Sequence, residues 1–229
     1  MRILFIRHGD PDYKNDCLTE IGKIQAQRMA QRLREEGIEE IYASPLGRAQ
    51  ETAQAAAQVL DLPIQTLDFM REVRWGNEEK NLYHGGHPWD IADKMAQEGI
   101  DLNRTDWRES PYFKTNFVTE CVDEVEKGID AWLADFGYER RGFYYLHKRE
   151  EEQHRTIALF SHGGSSAAAI GHILNLPFPY VCALFHMEFT GITTLRFDRK
   201  AGSATLPCIE LGNDGRHIHE GKYHRLEDM

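Results

Sequence analysis

Two stretches of this chain each place an imidazole directly after an apolar run and directly before glycine: Arg7-His8-Gly9 and, far downstream, Ser161-His162-Gly163-Gly164. Arg48 lies between them, in Ser44-Pro45-Leu46-Gly47-Arg48. Glycine beside a histidine lets a ligand approach the backbone closely. A helix beginning near Gly164 offers free N–H groups and a positive dipole end. Together these groups describe an anion pocket suited to a phosphoryl group. Arg7 and Arg48 grip its oxygens through forked donors, and a protonated His162 adds a third charge-assisted contact. One unprotonated imidazole nitrogen in such a pocket can attack phosphorus in line, with no metal needed to neutralise charge. The departing oxygen needs a proton, so a carboxylic acid should stand nearby. Taken alone, Arg7-His8-Gly9 fits an ordinary strand cap equally well. The second histidine stretch and Arg48 tip the balance.

These residues must be positioned by regular elements. Ile3 to Ile6 is an unbroken apolar run of the kind found in strands buried on both faces. Residues 10–16 are turn formers. Thr19 is a helix N-cap for the amphipathic run Ile21, Ile24, Ala26, Met29, Ala30 and Leu33, which Gly37 closes. Ile38 to Ala43 is a second strand; Ser44 or Pro45 opens a second helix that Pro63 stops, and Ile64 to Leu67 is a third strand. Strand and helix alternate, which predicts an α/β fold with parallel neighbours. The buried-strand pattern returns at Thr156 to Phe160, before an Ala-rich helix from Ser165 to Leu174. Thr190–Phe197 and Thr205–Leu211 read as a hairpin added antiparallel at one sheet edge.

Between these blocks, residues 71 to 155 are polar and aromatic, with one well-patterned helix over Thr119 to Phe136. A segment this long between strands reads as an inserted lid subdomain within a single 1–229 domain. Gly85-Gly86 is a candidate hinge. Most of the segment's aromatic residues are expected to form its own small core, and the remainder to line a pocket.

At 229 residues, 41% hydrophobic and 28% charged, the chain can bury a sizeable core. Its net charge of −10 argues against a general nucleic-acid binder and against attraction to an anionic membrane. No run is long and apolar enough to span a bilayer. The N-terminal apolar run is too brief for a signal peptide. Cys17, Cys121, Cys182 and Cys208 are scattered, with no CxxC pair, so neither a disulfide framework nor a zinc knuckle is expected. A cytoplasmic protein is the expectation. The histidine-rich tail, Arg216 to His224, is expected to be a polar tail rather than a metal site.

Four blocks, in order, resemble the histidine phosphatase superfamily, the phosphoglycerate-mutase-like family. They are Arg7-His8-Gly9; Leu18-Thr19-Glu20-Ile21-Gly22 with Gln25-Ala26; Ser44-Pro45-Leu46-Gly47-Arg48-Ala49 with Thr52-Ala53; and Ser161-His162-Gly163. The resemblance implies a three-layer α/β/α fold with a mostly parallel sheet and a lid inserted after the third strand. It implies a phosphohistidine intermediate on His8, with Arg7, Arg48, His162 and Gly163 holding the phosphoryl group, and neither metal nor cofactor. Glu72 stands where family members carry the proton donor, and it also follows the third strand, where the chemical argument asks for a carboxyl. Glu78 and Glu79 are the nearest substitutes.

The chain departs from the family pattern after Gly9. Asp10-Pro11 and Lys14 occupy positions where many members have Glu-Thr and Asn, and Asn15, one place late, is the substitute phosphate contact. Residues 77–155 hold no counterpart of the mutases' paired substrate arginines, since Arg140-Arg141 sits in a different context. The resemblance therefore points to a phosphatase acting on a small phosphorylated substrate and releasing inorganic phosphate. The alternatives are mutase-type phosphoryl transfer and a non-catalytic phosphate- or protein-binding module. A metal-dependent hydrolase has no HExxH or clustered Asp/His set to support it.

Overall fold

The computed structural model describes residues 1–150, 154–198 and 200–218. Strand β1 (Arg2–Arg7) leads into a small hairpin, β2 (Pro11–Asp12) and β3 (Cys17–Leu18). Helix α1 (Glu20–Leu33), β4 (Glu40–Ala43), α2 (Gly47–Leu60) and β5 (Ile64–Thr66) follow. Next come α3 (Pro88–Gln97), α4 (Phe117–Asp135), β6 (Tyr138–Arg141) and β7 (Tyr144–His147). The chain ends with β8 (Thr156–Ser161), α5 (Gly163–Leu174), α6 (Phe178–Leu184), β9 (Ile192–Arg196), β10 (Ala204–Thr205) and β11 (Cys208–Asp214).

Six strands form one sheet in the order β11-β9-β1-β8-β4-β5. The four strands from β1 to β5 run parallel, while β9 and β11 are the antiparallel edge. The central strands are buried on both faces, as their apolar runs require. Leu4, Ile6, Ala158 and Phe160 meet Met29, Leu33 and the alanines of α2 on one side. Ile3, Phe5, Ile157 and Leu159 face α4 and α5 on the other. The result is a three-layer α/β/α sandwich with a mostly parallel sheet. Thr19 caps α1 by accepting the Gly22 N–H at 3.0 Å. In the expected edge hairpin, the connecting stretch departs from the simple turn: Ala204–Thr205 leaves the sheet edge to pair with β7.

Residues 71–155 hold more structure than their polar sequence suggests. Helix α3 buries Pro88, Ile91, Ala92 and Met95, a short helical stripe interrupted by charge. Strands β6 and β7 form a hairpin too short to show a clear alternation. Trp107 and Phe113 are buried in a cluster continuous with Ile3 and Phe5. Trp89 is partly buried and packs against the edge of that cluster, and Trp75 is exposed; both stand at a cavity described below. Gly86, one half of the expected hinge pair, has φ +80°, and a Cβ there would lie 2.8 Å from the Gly76 nitrogen. Its glycine identity serves close packing of two loops. Of the histidine-rich tail, residues 219–229 lie outside the described residues, as do Glu151 and Glu152 of the charged run; the His217 ring bonds Thr190 Oγ1 at 3.0 Å.

Candidate active site

The parallel strands β1, β4 and β8 finish at one edge of the sheet and deliver the site. His8, one residue past β1, is 1% exposed. Its Nδ1 lies 2.7 Å from the Gly9 carbonyl oxygen, which can only accept, so the ring hydrogen sits on Nδ1. Nε2 therefore carries the lone pair. It accepts the Arg48 Nε–H at 3.4 Å, a long bond that a better acceptor can displace. Burial pushes the His8 pKa down to about 3; the Gly9 bond, next in size, opposes it, and the Arg7 and Arg48 charges add to the lowering. The imidazole is neutral and nucleophilic across the physiological range.

Arg7 is held from two sides. Its Nη1 donates to the Met187 carbonyl at 2.5 Å, and its guanidinium lies 4.1 Å above the Phe189 ring. Its buried Nε has no protein partner. Arg48, at the first turn of α2, is fixed by Asp16, whose Oδ1 accepts from Nη1 at 2.5 Å while Oδ2 accepts the Gly47 N–H at 2.7 Å. Asp16 has φ +50°, and this left-handed turn aims its carboxylate at the α2 N-terminus.

His162, the residue after β8, is fully buried, with its ring centroid 5.1 Å from that of His8. Its Nε2 lies 2.8 Å from Ser44 Oγ. That hydroxyl also accepts the Leu46 N–H at 3.3 Å, and its second lone pair and its own hydrogen are both open to the ring nitrogen. Nδ1 is buried without a protein partner. Burial, followed by His8, Arg48 and Arg7, holds the His162 pKa well below its ordinary value. The sequence reading expected an imidazolium here; burial first, and then the neighbouring His8, Arg48 and Arg7, work against that charge.

Glu72 lies across the cleft, just past the third parallel strand. Its Oε1 accepts three backbone N–H groups: Val73 at 3.0 Å, Gly164 at 3.0 Å and Ser165 at 3.2 Å. The α5 N-terminus, expected to hold the phosphoryl group, thus spends two of its donors on this carboxylate. Burial raises the Glu72 pKa despite these bonds and despite Arg7 and Arg48. Gly164 has to be glycine, because a Cβ there would lie 2.6 Å from Glu72 Oε1 and 2.3 Å from Val73 Cγ2.

Arg7, His8, Arg48, Glu72, His162 and Gly163 thus converge. Asn15 does not join them: its side-chain amide donates to Asp12 Oδ2 at 2.7 Å on an exposed turn, and the next residue, Asp16, faces the site. Glu78 and Glu79 are exposed and stand outside the cluster. Sequence reasoning missed Asp16, Ser44 and Phe189. Ser44 had a signal, since it closes a buried strand as His8 and His162 do. Phe189 had none, because it arrives from a distant loop.

A cavity of about 270 Å³ opens from Arg7, Glu72 and Gly163. Tyr13 stands at its mouth, its ring 5.4 Å from the Arg48 guanidinium. Trp75, His87 and Trp89 form the facing wall. Their loops are tied together by buried Asn116, which accepts from the Gly76 and Val118 N–H groups at 3.1 Å each and donates to the Gly86 carbonyl at 2.9 Å. A larger groove of about 420 Å³ between α1 and α2 is lined mainly by glutamine and small apolar residues, and holds none of these groups.

An α/β sandwich with two buried imidazoles, two arginines and one carboxyl at its parallel strand ends is a site for handling phosphoryl groups. Residues 3–208 match the histidine phosphatase superfamily (branch 1), and the chain belongs to it. A Hydrogenobacter thermophilus protein, provisionally named phosphoserine phosphatase 2, is 22% identical over 86% of this chain and 90% of its own. A Proteus mirabilis protein, provisionally named phosphoglycerate mutase GpmB, is 31% identical over 95% of both. The phosphoserine phosphatase of Entamoeba histolytica, solved with 3-phosphoglyceric acid, shares the fold with a TM-score of 0.62 at 24% identity, over 95% of this chain and 98% of its own.

Proposed function

We propose that the protein is a metal-independent phosphomonoesterase working through a phosphohistidine on His8. The observation that carries this reading is the His8 imidazole, its unprotonated Nε2 held among Arg7, Arg48 and His162 and faced by a carboxyl of raised pKa. Arg7, Arg48 and His162 bind the phosphoryl oxygens and stabilise the charge that develops on them. The Nε2 lone pair forms a bond to phosphorus as the ester P–O bond breaks. Glu72 gives its proton to the leaving oxygen, which departs as an alcohol. The resulting carboxylate then takes a proton from water as the water oxygen bonds to phosphorus. The P–N bond breaks, releasing phosphate and restoring both His8 and the Glu72 acid. Gly163 gives the substrate room to approach.

Transfer to a second hydroxyl, as in a mutase, would use the same core chemistry, and the 31% identical relative carries a mutase name. A bisphosphorylated intermediate would need cations at its far end. Arg7 is the single cationic side chain among the described residues lining the cavity, which supports water as acceptor. A purely phosphate-binding module has no need of a poised nucleophile and acid.

The test is phosphate release from an aryl phosphate in the presence of EDTA, with rapid quenching to trap acid-labile phosphoprotein. Wild type should show both and His8→Ala neither. Equal release from the two proteins would remove His8 as nucleophile. Phosphoprotein that discharges to bisphosphoglycerate or 3-phosphoglycerate faster than to water would favour transfer.

A further inference from the structure

The cavity has a second half with different chemistry. Beside the phosphoryl cradle, a Cβ on Gly163 would lie 3.7 Å from Trp89 Cη2 and Cζ2 and 3.8 Å from Arg7 Nε. The Trp89 ring therefore begins where the cradle ends. From there a row of rings continues along the wall. The His87 centroid is 5.1 Å from Trp89 and 4.7 Å from Trp75, and His186 lies 6.4 Å from Trp89 on the other side. Trp75 is 42% exposed and Tyr13, across the mouth, 66% exposed, so two large aromatic side chains stay in solvent at the rim. Exposed aromatic surface gathered around a cavity marks a binding surface rather than leftover core.

The wall also lacks charge. Burial lowers the His87 pKa, so that ring is neutral near pH 7. Among the described lining residues Arg7 and Glu72 are the only ones of arginine, lysine, aspartate or glutamate type, and both belong to the phosphoryl end. A carboxylate or second phosphate placed against the rings would lose water and gain no counter-charge. A sugar would find few hydrogen-bonding groups beyond the imidazoles. A flat, uncharged ring finds aromatic edges and faces to pack against. The volume, at the small end for a ligand pocket, suits one ring system next to the phosphate.

We infer that the substrate is the phosphate ester of an uncharged aromatic or heteroaromatic group seated against Trp89, His87 and Trp75. This rests on the phosphomonoesterase reading for turnover, though not for binding. Asn116 holds both loops that carry the wall, so the rings are set before the ligand arrives and less ordering is required on binding.

Two measurements on the full chain separate this inference from the reading beneath it. The first is equilibrium binding of phosphonates that cannot be hydrolysed. Benzylphosphonate should bind at least tenfold tighter than methylphosphonate or a carboxylate-bearing alkylphosphonate. Trp89→Leu should cut that advantage about five- to tenfold, and Trp75→Leu, on a separate loop, by less. The second is kcat/KM for benzyl phosphate, phosphoserine, 3-phosphoglycerate and glucose 6-phosphate, all alkyl esters, so that leaving-group basicity does not set the order. Benzyl phosphate should lead. Binding preference without turnover would strike the esterase reading and support this one. Turnover or binding that favours a carboxylate-bearing or sugar compound, or is indifferent to the ring, would overturn it.

Discussion

The two halves of the cavity are built in opposite ways. At the phosphoryl end, Arg7, His8, Ser44 and His162 sit at or one residue past the ends of adjacent parallel strands. The ladder fixes their relative positions: Arg7 stands opposite Ser161, and Ala43 opposite Phe160. At the aromatic end, Trp75 and His87 ride on loops whose spacing depends on one buried amide, Asn116. A strand end cannot move without breaking several hydrogen bonds in a sheet buried on both faces. A loop wall can be rebuilt by a few substitutions. On the proposed reading, chemistry is placed on the rigid part and recognition on the adjustable part. Changes at the first end should alter turnover of every substrate; changes at the second should alter discrimination among them.

The sharpest way to break that distinction is at Glu72, which belongs to the phosphoryl half. Glu72→Gln keeps an acceptor for the Val73, Gly164 and Ser165 N–H groups but cannot protonate a leaving oxygen. For an alkyl ester, kcat/KM should fall by about 10²–10⁴, the usual worth of a general acid. An activated aryl ester needs little protonation and should lose far less. The raised pKa of the wild-type carboxyl also sets a sign: its acid form is lost as pH rises through that pKa, so kcat/KM for alkyl esters should decline on the alkaline side. The variant should lack that limb. Parallel losses on both ester types would mean that Glu72 serves binding rather than proton transfer.

Asn116→Ala should separate the halves from the other side. It leaves the Gly76 and Val118 N–H groups and the Gly86 carbonyl without their side-chain partner, at about 1–3 kcal/mol for each buried group left unpaired. The melting temperature should fall. More tellingly, the advantage of benzylphosphonate over methylphosphonate should shrink while inorganic phosphate binding holds within about twofold. A uniform loss across all ligands would show that the staple supports the whole cleft. The comparison between halves would then fail.

How far the sequence disclosed each half follows from the same contrast. His8 and His162 were legible because a buried strand followed by a polar residue and glycine is a short, local pattern, and Arg48 because it stands at a helix start. The α/β alternation was legible for the same reason. Asp16 was not, since the choice between Asn15 and Asp16 depends on a single left-handed residue within a turn. The lowered pKa of His162 was not legible because it is set first by burial and then by His8, Arg48 and Arg7, which meet only in the fold. Helix α3 was hidden by its charged faces, although Pro88, Ile91, Ala92 and Met95 carry the helical spacing. The function of Trp89 could not be read from its neighbours, because its partner across the cleft is Gly163, 74 positions away by residue number. Asn116 gave no sign of its role for the same reason.

The smallest predicted effect is a dependence of stability on pH that belongs to the phosphoryl half. His8 and His162 are almost wholly buried, and both have pKa values below the ordinary 6.5, that of His8 at about 3. Below pH 6.5 the unfolded chain binds protons at these rings and the folded chain does not. Their contribution is therefore complete above pH 6.5 and is lost as pH falls toward the folded values. At pH 5 the His8 ring forfeits about 2 kcal/mol, and His162 adds a loss of the same sign. Glu72 acts in the opposite sense: its raised pKa favours the fold most when it is protonated, and that contribution fades as pH rises. Urea unfolding at pH 7.5 and pH 5.0 should thus show a modest net loss on acidification in the wild type. Subtracting the same pair of measurements for His8→Asn cancels the other groups and isolates one ring, about 2 kcal/mol. Trp89→Leu, in the uncharged half, should keep the wild-type pH dependence. If His8→Asn keeps it too, the His8 ring is not held neutral by its burial, and the poised nucleophile loses its physical basis.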